Sequence, residues 1–290
     1  MLDFAFAAPL GVVVLALAAA ALWGTSDFGG GYLGRRGPIL GVLVLTQLAG
    51  LVLAASISFA RGEPGLRPED LQLALLCGLL ASGGVGALYG GLAIGRMGVV
   101  APVAAVLTAV TPALIGFGLQ GVPHPIVLGG MVLAIVAVVV VSRAPSDQTG
   151  RPSGIELAIV AGLTLGVLSF VLSRIGHDYL LAPLAVVRAV QAGVFVAVVA
   201  ATRRPWRLPR AVWPLAVGVG AVDLFGNTAF LLASREDLAI AAVLSSLYPV
   251  VTVLLAATVL RERMTRAHAA GVALAGVAIT LIAFGSNAAV

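Results

Sequence analysis

AAVLTAVTP at residues 104–112 and AAVLSSLYP at residues 241–249 are two copies of one motif, 137 residues apart. Each is an apolar stretch with a proline near the middle of a longer apolar segment. A chain that repeats such a segment reads as a duplication, and duplicated membrane halves are the architecture of many transporters.

The surrounding composition puts both copies in lipid. The chain is 60% hydrophobic and 10% charged over 290 residues, with a mean hydropathy of +1.11. A soluble domain of this length needs a larger charged surface. A helical span needs about 20 mostly apolar residues. Ten segments fit: 9–28, 39–59, 71–93, 98–119, 126–142, 155–173, 182–201, 212–233, 238–259 and 267–285. They are too long and too continuous for barrel strands, which alternate in polarity over about 9–11 residues. Only helices or closed barrels satisfy the backbone in hydrocarbon, so helices are expected. The opening MLDFAFAAPL has no basic flank of the signal-peptide kind, so 9–28 reads as a first span. The expected fold is an all-α protein, multi-pass in the cell membrane, with ten transmembrane helices.

All 17 basic residues are Arg, and most sit at span ends. The net charge of +5 is therefore an orientation signal and not a nucleic-acid footprint. Loops after odd-numbered spans hold 12 of these Arg, and loops after even-numbered spans hold Arg61, Arg67, Arg174 and Arg235. The asymmetry places the odd-following loops in the cytoplasm and both termini outside. Cys77 is the one cysteine, which excludes an internal disulfide and a cysteine-based metal cluster. No P-loop pattern and no HExxH set is present, so neither ATP hydrolysis nor metal catalysis is expected, and no cofactor is implied.

Each half has five spans, 9–142 and 155–285, joined through 143–154 with Pro145 and Pro152. Five is odd, so the second half enters the membrane from the opposite side. The halves are then inverted repeats, with a substrate site near the midplane between them.

Here the chain resembles the EamA-like family of the drug/metabolite transporter superfamily. The first span ends Leu22-Trp23-Gly24-Thr25-Ser26-Asp27-Phe28, similar to that family's Trp-Gly opening. Residues 248–284 give the strongest likeness, with the proline, Glu262-Arg263, Gly271 and Gly276 in order. Arg188 stands where the family often has an arginine in the second helix of a repeat. The first half departs from the pattern: Gln120-Gly121-Val122-Pro123-His124 replaces the Glu-Arg pair. A role of the family's glutamate is therefore carried only to Glu262. The resemblance implies EamA-like repeats at 1–143 and 154–290 and transport of small metabolites or drugs. Family members conventionally keep both termini cytoplasmic, opposite to the Arg distribution.

Asp223 is the sharpest chemical signal, because an ionised carboxylate mid-span costs about 2.5–3.5 kcal/mol on insertion scales. Asn227 follows one turn later on the same face. Arg188 lies six residues into its span with Gln191 on nearly the same face. Antiparallel neighbours bring Arg188 level with Asn227, within reach of Asp223. Arg188 can pair there or snorkel to the interface. The pair can serve as a substrate or proton-coupling site, or only hold two helices together. Gln47 sits at a depth in the first half similar to Arg188 in the second. Pro112 and Pro249 are read as helix breaks that free a carbonyl. Thr108 flanks the first, and Ser245, Ser246 and Tyr248 the second. Tyr89 is either a cavity hydroxyl or a packing residue. Trp23 and Asp27 share a face near the end of span one, which favours an interfacial anchor over a cavity contact. The Arg261, Glu262, Arg263 and Arg266 cluster reads as a solvated loop.

The expected function is secondary transport, as an exporter of a small metabolite or drug, by alternating access and with proton coupling through Asp223. The competing readings are a membrane subunit that has lost transport and a flippase of lipid-linked groups.

Overall fold

The computed structural model describes residues 7–34, 36–94, 97–142, 154–259 and 266–287. Within them the regular structure is helical, and no strand occurs. The helices are α1 (Ala7–Gly34), α2 (Ile39–Ala60), α3 (Pro68–Ile94), α4 (Met97–Gln120), α5 (Pro125–Ser142) and α6 (Ile155–Ser173). They continue as α7 (Ala182–Thr202), α8 (Trp213–Glu236), α9 (Leu238–Ser245), α10 (Tyr248–Val259) and α11 (Arg266–Asn287). Among the described residues, six helices are long and apolar enough to cross a bilayer: α1, α2, α3, α6, α7 and α8. Shorter apolar helical stretches lie at Val103–Leu119, Pro125–Val140 and Ala269–Ile282.

Two elements differ from expectation. The segment 238–259 is not one helix but two, because the chain turns at Ser246 and Leu247. Pro249, read from the sequence as a helix break, is the second residue of α10, and it has no N–H to give the carbonyl of Ser245, four residues before it, where α9 ends. α4 runs without interruption through Pro112. The other difference is the length of α1. Gly29-Gly30-Gly31 looks like a stop, yet the helix continues to Gly34. Glycine is common in membrane helices because it lets a neighbour approach, and Val219 of α8 packs over Gly29. The extension moves Trp23 and Asp27 away from the helix end and into the protein's interior surface.

The packing is inverted relative to a soluble protein. Large apolar side chains such as Val52 (64% exposed) and Leu114 (61%) face outward, while Ala16, Ala54, Ala134, Ala161 and Ala278 are fully buried. Lipid removes any gain from hiding leucine, so helices associate through small residues that allow close backbone approach. α1 packs on α8, α9 and α10; α2 on α7 and α8; α3 on α6 and α7; α4 on α6 and α9; and α5 on α11.

The α2–α8 crossing is the tightest that bears on the site. A Cβ at Gly220 would strike the backbone carbonyl of Thr46 and lie 3.1 Å from its Cα. Backbone cannot move aside as a side-chain tip can. Gly220→Val is therefore expected to lower stability by about 1–3 kcal/mol, read as a reduced thermal midpoint of the purified protein. An unchanged midpoint would show that α2 and α8 do not meet as described.

Candidate functional site

A cavity of about 250 Å³ lies among α1, α2, α3, α4, α6, α7, α8 and α9 and reaches Tyr248 at the start of α10. Both halves of the chain line it. Its charged groups among the described residues are Asp27, Arg188 and Asp223.

Arg188 is the centre of the polar network. Its side chain is 5% exposed, against 29% for Asp223. One guanidinium nitrogen donates to Gln47 Oε1 at 2.6 Å, and the other pairs with Asp223 Oδ2. Asn227 Nδ2 donates to the Asp223 main-chain carbonyl at 2.7 Å and to its Oδ2 at 3.3 Å. The arginine thus ties α7 to α2 in one half and to α8 in the other. Gly50 makes room for it, since a Cβ there would stand 3.3 Å from Arg188 Cδ and Nε. Snorkelling is excluded by this burial, and the pairing alternative is the one adopted.

Five hydroxyl groups around the cavity share one habit. Thr46 Oγ1 donates to Leu43 O at 3.0 Å, Ser169 Oγ to Leu165 O at 3.1 Å, Ser245 Oγ to Ala242 O at 3.2 Å and Ser246 Oγ to Val243 O at 2.7 Å. Thr108 Oγ1 reaches Gly162 O across the α4–α6 contact at 3.5 Å. Each proton goes to a backbone carbonyl of a helix, which leaves only oxygen lone pairs to face the cavity.

Trp23 lies against Phe230 with ring centroids 5.4 Å apart. Its indole lines the cavity, so the interfacial-anchor reading is replaced by the cavity one. Gln191 is buried at the cavity wall. Of the residues singled out from the sequence, Asp223, Arg188, Asn227, Gln191, Gln47, Thr108, Ser245, Ser246, Tyr248 and Trp23 all line this one space. The side chains of Tyr89 and Pro249 and the whole of Arg261, Glu262 and Arg263 lie outside the described residues. Sequence reasoning passed over Thr46, Ser169 and Ser26, because isolated hydroxyls are unremarkable in membrane helices. It also placed Asp27 at the water boundary.

The two ends of the bundle are fastened differently. At the end holding the α2–α3 and α6–α7 loops, Glu63 accepts from the backbone N–H groups of Leu181 at 3.0 Å and Ala182 at 2.8 Å, capping α7. Ser58 Oγ and Arg61 Nε also donate to it, at 3.1 and 3.2 Å. Burial alone would push this carboxyl up, but the donors from Ala182, Leu181, Leu180 and Ser58 outweigh it and hold it below its ordinary value. Asp70 accepts from Gly176 N at 2.8 Å, and Tyr179 OH accepts from Arg67 N at 3.0 Å. Arg235 adds a bond to the Tyr179 carbonyl at 2.7 Å. At the opposite end the described residues include an apolar cluster between halves: Leu33, Val42, Ala216 and Val219 are buried together under Leu208 and Val212.

Comparison with known proteins follows this geometry. Residues 152–284 match the family model of the EamA-like transporter family. A solved crystal structure aligns with 96% of this chain and 98% of its own, at a TM-score of 0.79 and 19% identity, which shows a shared fold. No curated protein matches the chain. With six helices able to cross a bilayer, the chain is a multi-pass membrane protein.

Proposed function

We propose that this chain, whose residues 152–284 belong to the EamA-like transporter family of the drug/metabolite transporter superfamily, is a secondary transporter of a small molecule working by alternating access. The observation that carries the reading is the cavity of about 250 Å³ between the halves, with a paired Arg188 and Asp223 in its wall. Intramembrane charges mark substrate and ion pathways because hydrocarbon penalises them anywhere else.

The two halves, 1–143 and 154–290, act as inverted five-helix repeats, and the ten segments, with α9 and α10 as one, are ten crossings. Helix pairing supports this. α1 packs on α8 as α6 packs on α3; α2 on α8 as α7 on α3; α4 on α6 as α9 and α10 on α1. Exchanging first and second halves maps each pair onto another, and α2–α7 and α5–α11 onto themselves. Gln47 and Arg188, at matching depths of the two halves, meet across that axis.

Such a body has two related conformations, one sealed at each end. The polar latch of Glu63, Asp70, Arg67 and Tyr179 seals one end and must part for the other state to form. The Arg distribution puts that latched end outside, so this state loads from the cytoplasm, as the first step of an export cycle would.

Asp223 is the proton-coupling group in this scheme. The ion pair with Arg188 belongs to this state, and a proton that neutralises Asp223 removes the attraction and so favours a state in which the two are apart. Asp223→Asn should abolish the pH dependence of transport in reconstituted vesicles and lower its rate. An unchanged rate and pH profile would remove Asp223 from coupling. A screen of small molecules in the same vesicles, with and without an imposed pH gradient, tests transport itself. Failure of every substrate to cross, in protein that binds ligand, would leave a non-transporting subunit.

A further inference from the structure

The cavity holds two carboxylates and one guanidinium, and they are not equally engaged. Asp223 is committed to Arg188 and Asn227. Arg188 is committed to Asp223 and Gln47 and is buried. Asp27 has no hydrogen bond and no ion pair among the described residues, and it is exposed to the cavity it lines. Among the described residues one uncommitted carboxyl group therefore remains in the cavity, and no uncommitted guanidinium. Trp23 lies one helical turn from Asp27 on the same face of α1, with its ring at the cavity wall.

The neutral groups point the same way. Thr46, Thr108, Ser169, Ser245 and Ser246 spend their protons on backbone carbonyls and present lone pairs. Asn227 spends its amide hydrogens on Asp223, which leaves its oxygen to accept. These acceptors beside an uncommitted carboxyl group complement a ligand that brings donors and positive charge. Leu165, Leu168 and Val219 complete the wall with apolar surface, suited to a hydrocarbon or aromatic body.

We infer that the cavity binds a small organic cation, with Asp27 as the counter-ion of its ammonium group and Trp23 against its apolar body. A carboxylate-bearing ligand meets Asp27 with no uncommitted cation to offset it, so zwitterions and anions are disfavoured. This substrate class rests on the transporter reading for its purpose, but it is testable without transport.

The experiment is equilibrium binding to the purified full chain in lipid nanodiscs, followed by tryptophan fluorescence. The probes are 2-phenylethylammonium, the neutral 2-phenylethanol, phenylacetate and zwitterionic phenylalanine, which share a ring and differ in charge. The expected order has 2-phenylethylammonium binding about tenfold or more tighter than the alcohol, with the acid and the amino acid weakest. Asp27→Asn should erase the preference for the cation while the alcohol still binds, and Asp27→Glu should restore part of it. The alcohol thus serves as the control for a folded cavity. Tighter binding of phenylacetate or phenylalanine, or a cation preference that survives Asp27→Asn, would overturn the inference. Vesicle uptake separates it from the transport reading: a cation that binds through Asp27 but does not cross leaves this inference standing and sinks transport.

Discussion

Arg188→Met should abolish substrate movement in reconstituted vesicles and lower stability by about 2–4 kcal/mol. The figure follows from what the substitution strands. Asp223 keeps its charge and loses its partner, and Gln47 Oε1 loses its donor inside the bundle. Removing one member of a buried pair costs about 3–5 kcal/mol. Here Asp223 is 29% exposed to the cavity, and water there recovers part of the loss. The double variant Arg188→Met with Asp223→Asn has no stranded charge, so its thermal midpoint should return most of the way. Its transport should not. Stability and activity then separate, which a purely structural pair would not allow. Full transport by the double variant would reduce Arg188 and Asp223 to a helix clamp.

Glu63→Gln is the second large effect, and it comes from outside the membrane. The carboxylate collects donors from two backbone N–H groups, a hydroxyl and a guanidinium, and its side chain is 5% exposed. An amide in its place has one acceptor oxygen and a misplaced donor. Hydrogen bonds to a charged group are worth about 1.5–3 kcal/mol, so a loss of about 2 kcal/mol is expected at neutral pH. The sign with pH follows from the lowered native value. Above the ordinary glutamate value, the unfolded chain is ionised too, and the contribution is complete. As pH falls through the lower native value, the carboxyl protonates in both states and the contribution disappears. Thermal midpoints of wild type and Glu63→Gln should therefore differ at neutral pH and converge in acid. A gap that persists unchanged into acid would show that the charge of Glu63 does not hold the latch.

Asp223 and Arg188 were legible in the sequence because charge inside an apolar run has few explanations. Asn227 followed from helical spacing, while Gln47 was marked by its depth and only the fold makes it a partner of Arg188. Asp27 was legible as a residue but not as a site, because three glycines after it imitate a helix end. The other use of Gly29, admitting Val219 of α8, depends on a contact almost two hundred residues away. Glu63 lay hidden for a different reason. A carboxylate in a short loop looks solvated, and only the fold brings the α7 N-terminus to it. The helix interruption at Ser246–Leu247 lies in the turn before Pro249, whereas Pro112 leaves α4 unbroken. The five hydroxyls were invisible as a set until their donors could be traced.

The unequal seals of the bundle, hydrogen-bonded at one mouth and, among the described residues, greasy at the other, have a kinetic meaning. A carrier whose two poses differ in energy waits in the lower one, and the difference sets how often an empty molecule is ready to load. It cannot set how steep a gradient the carrier sustains, because an empty round trip returns whatever that bias lent. Loosening Glu63 should therefore change the pace of turnover and leave the final accumulation ratio alone.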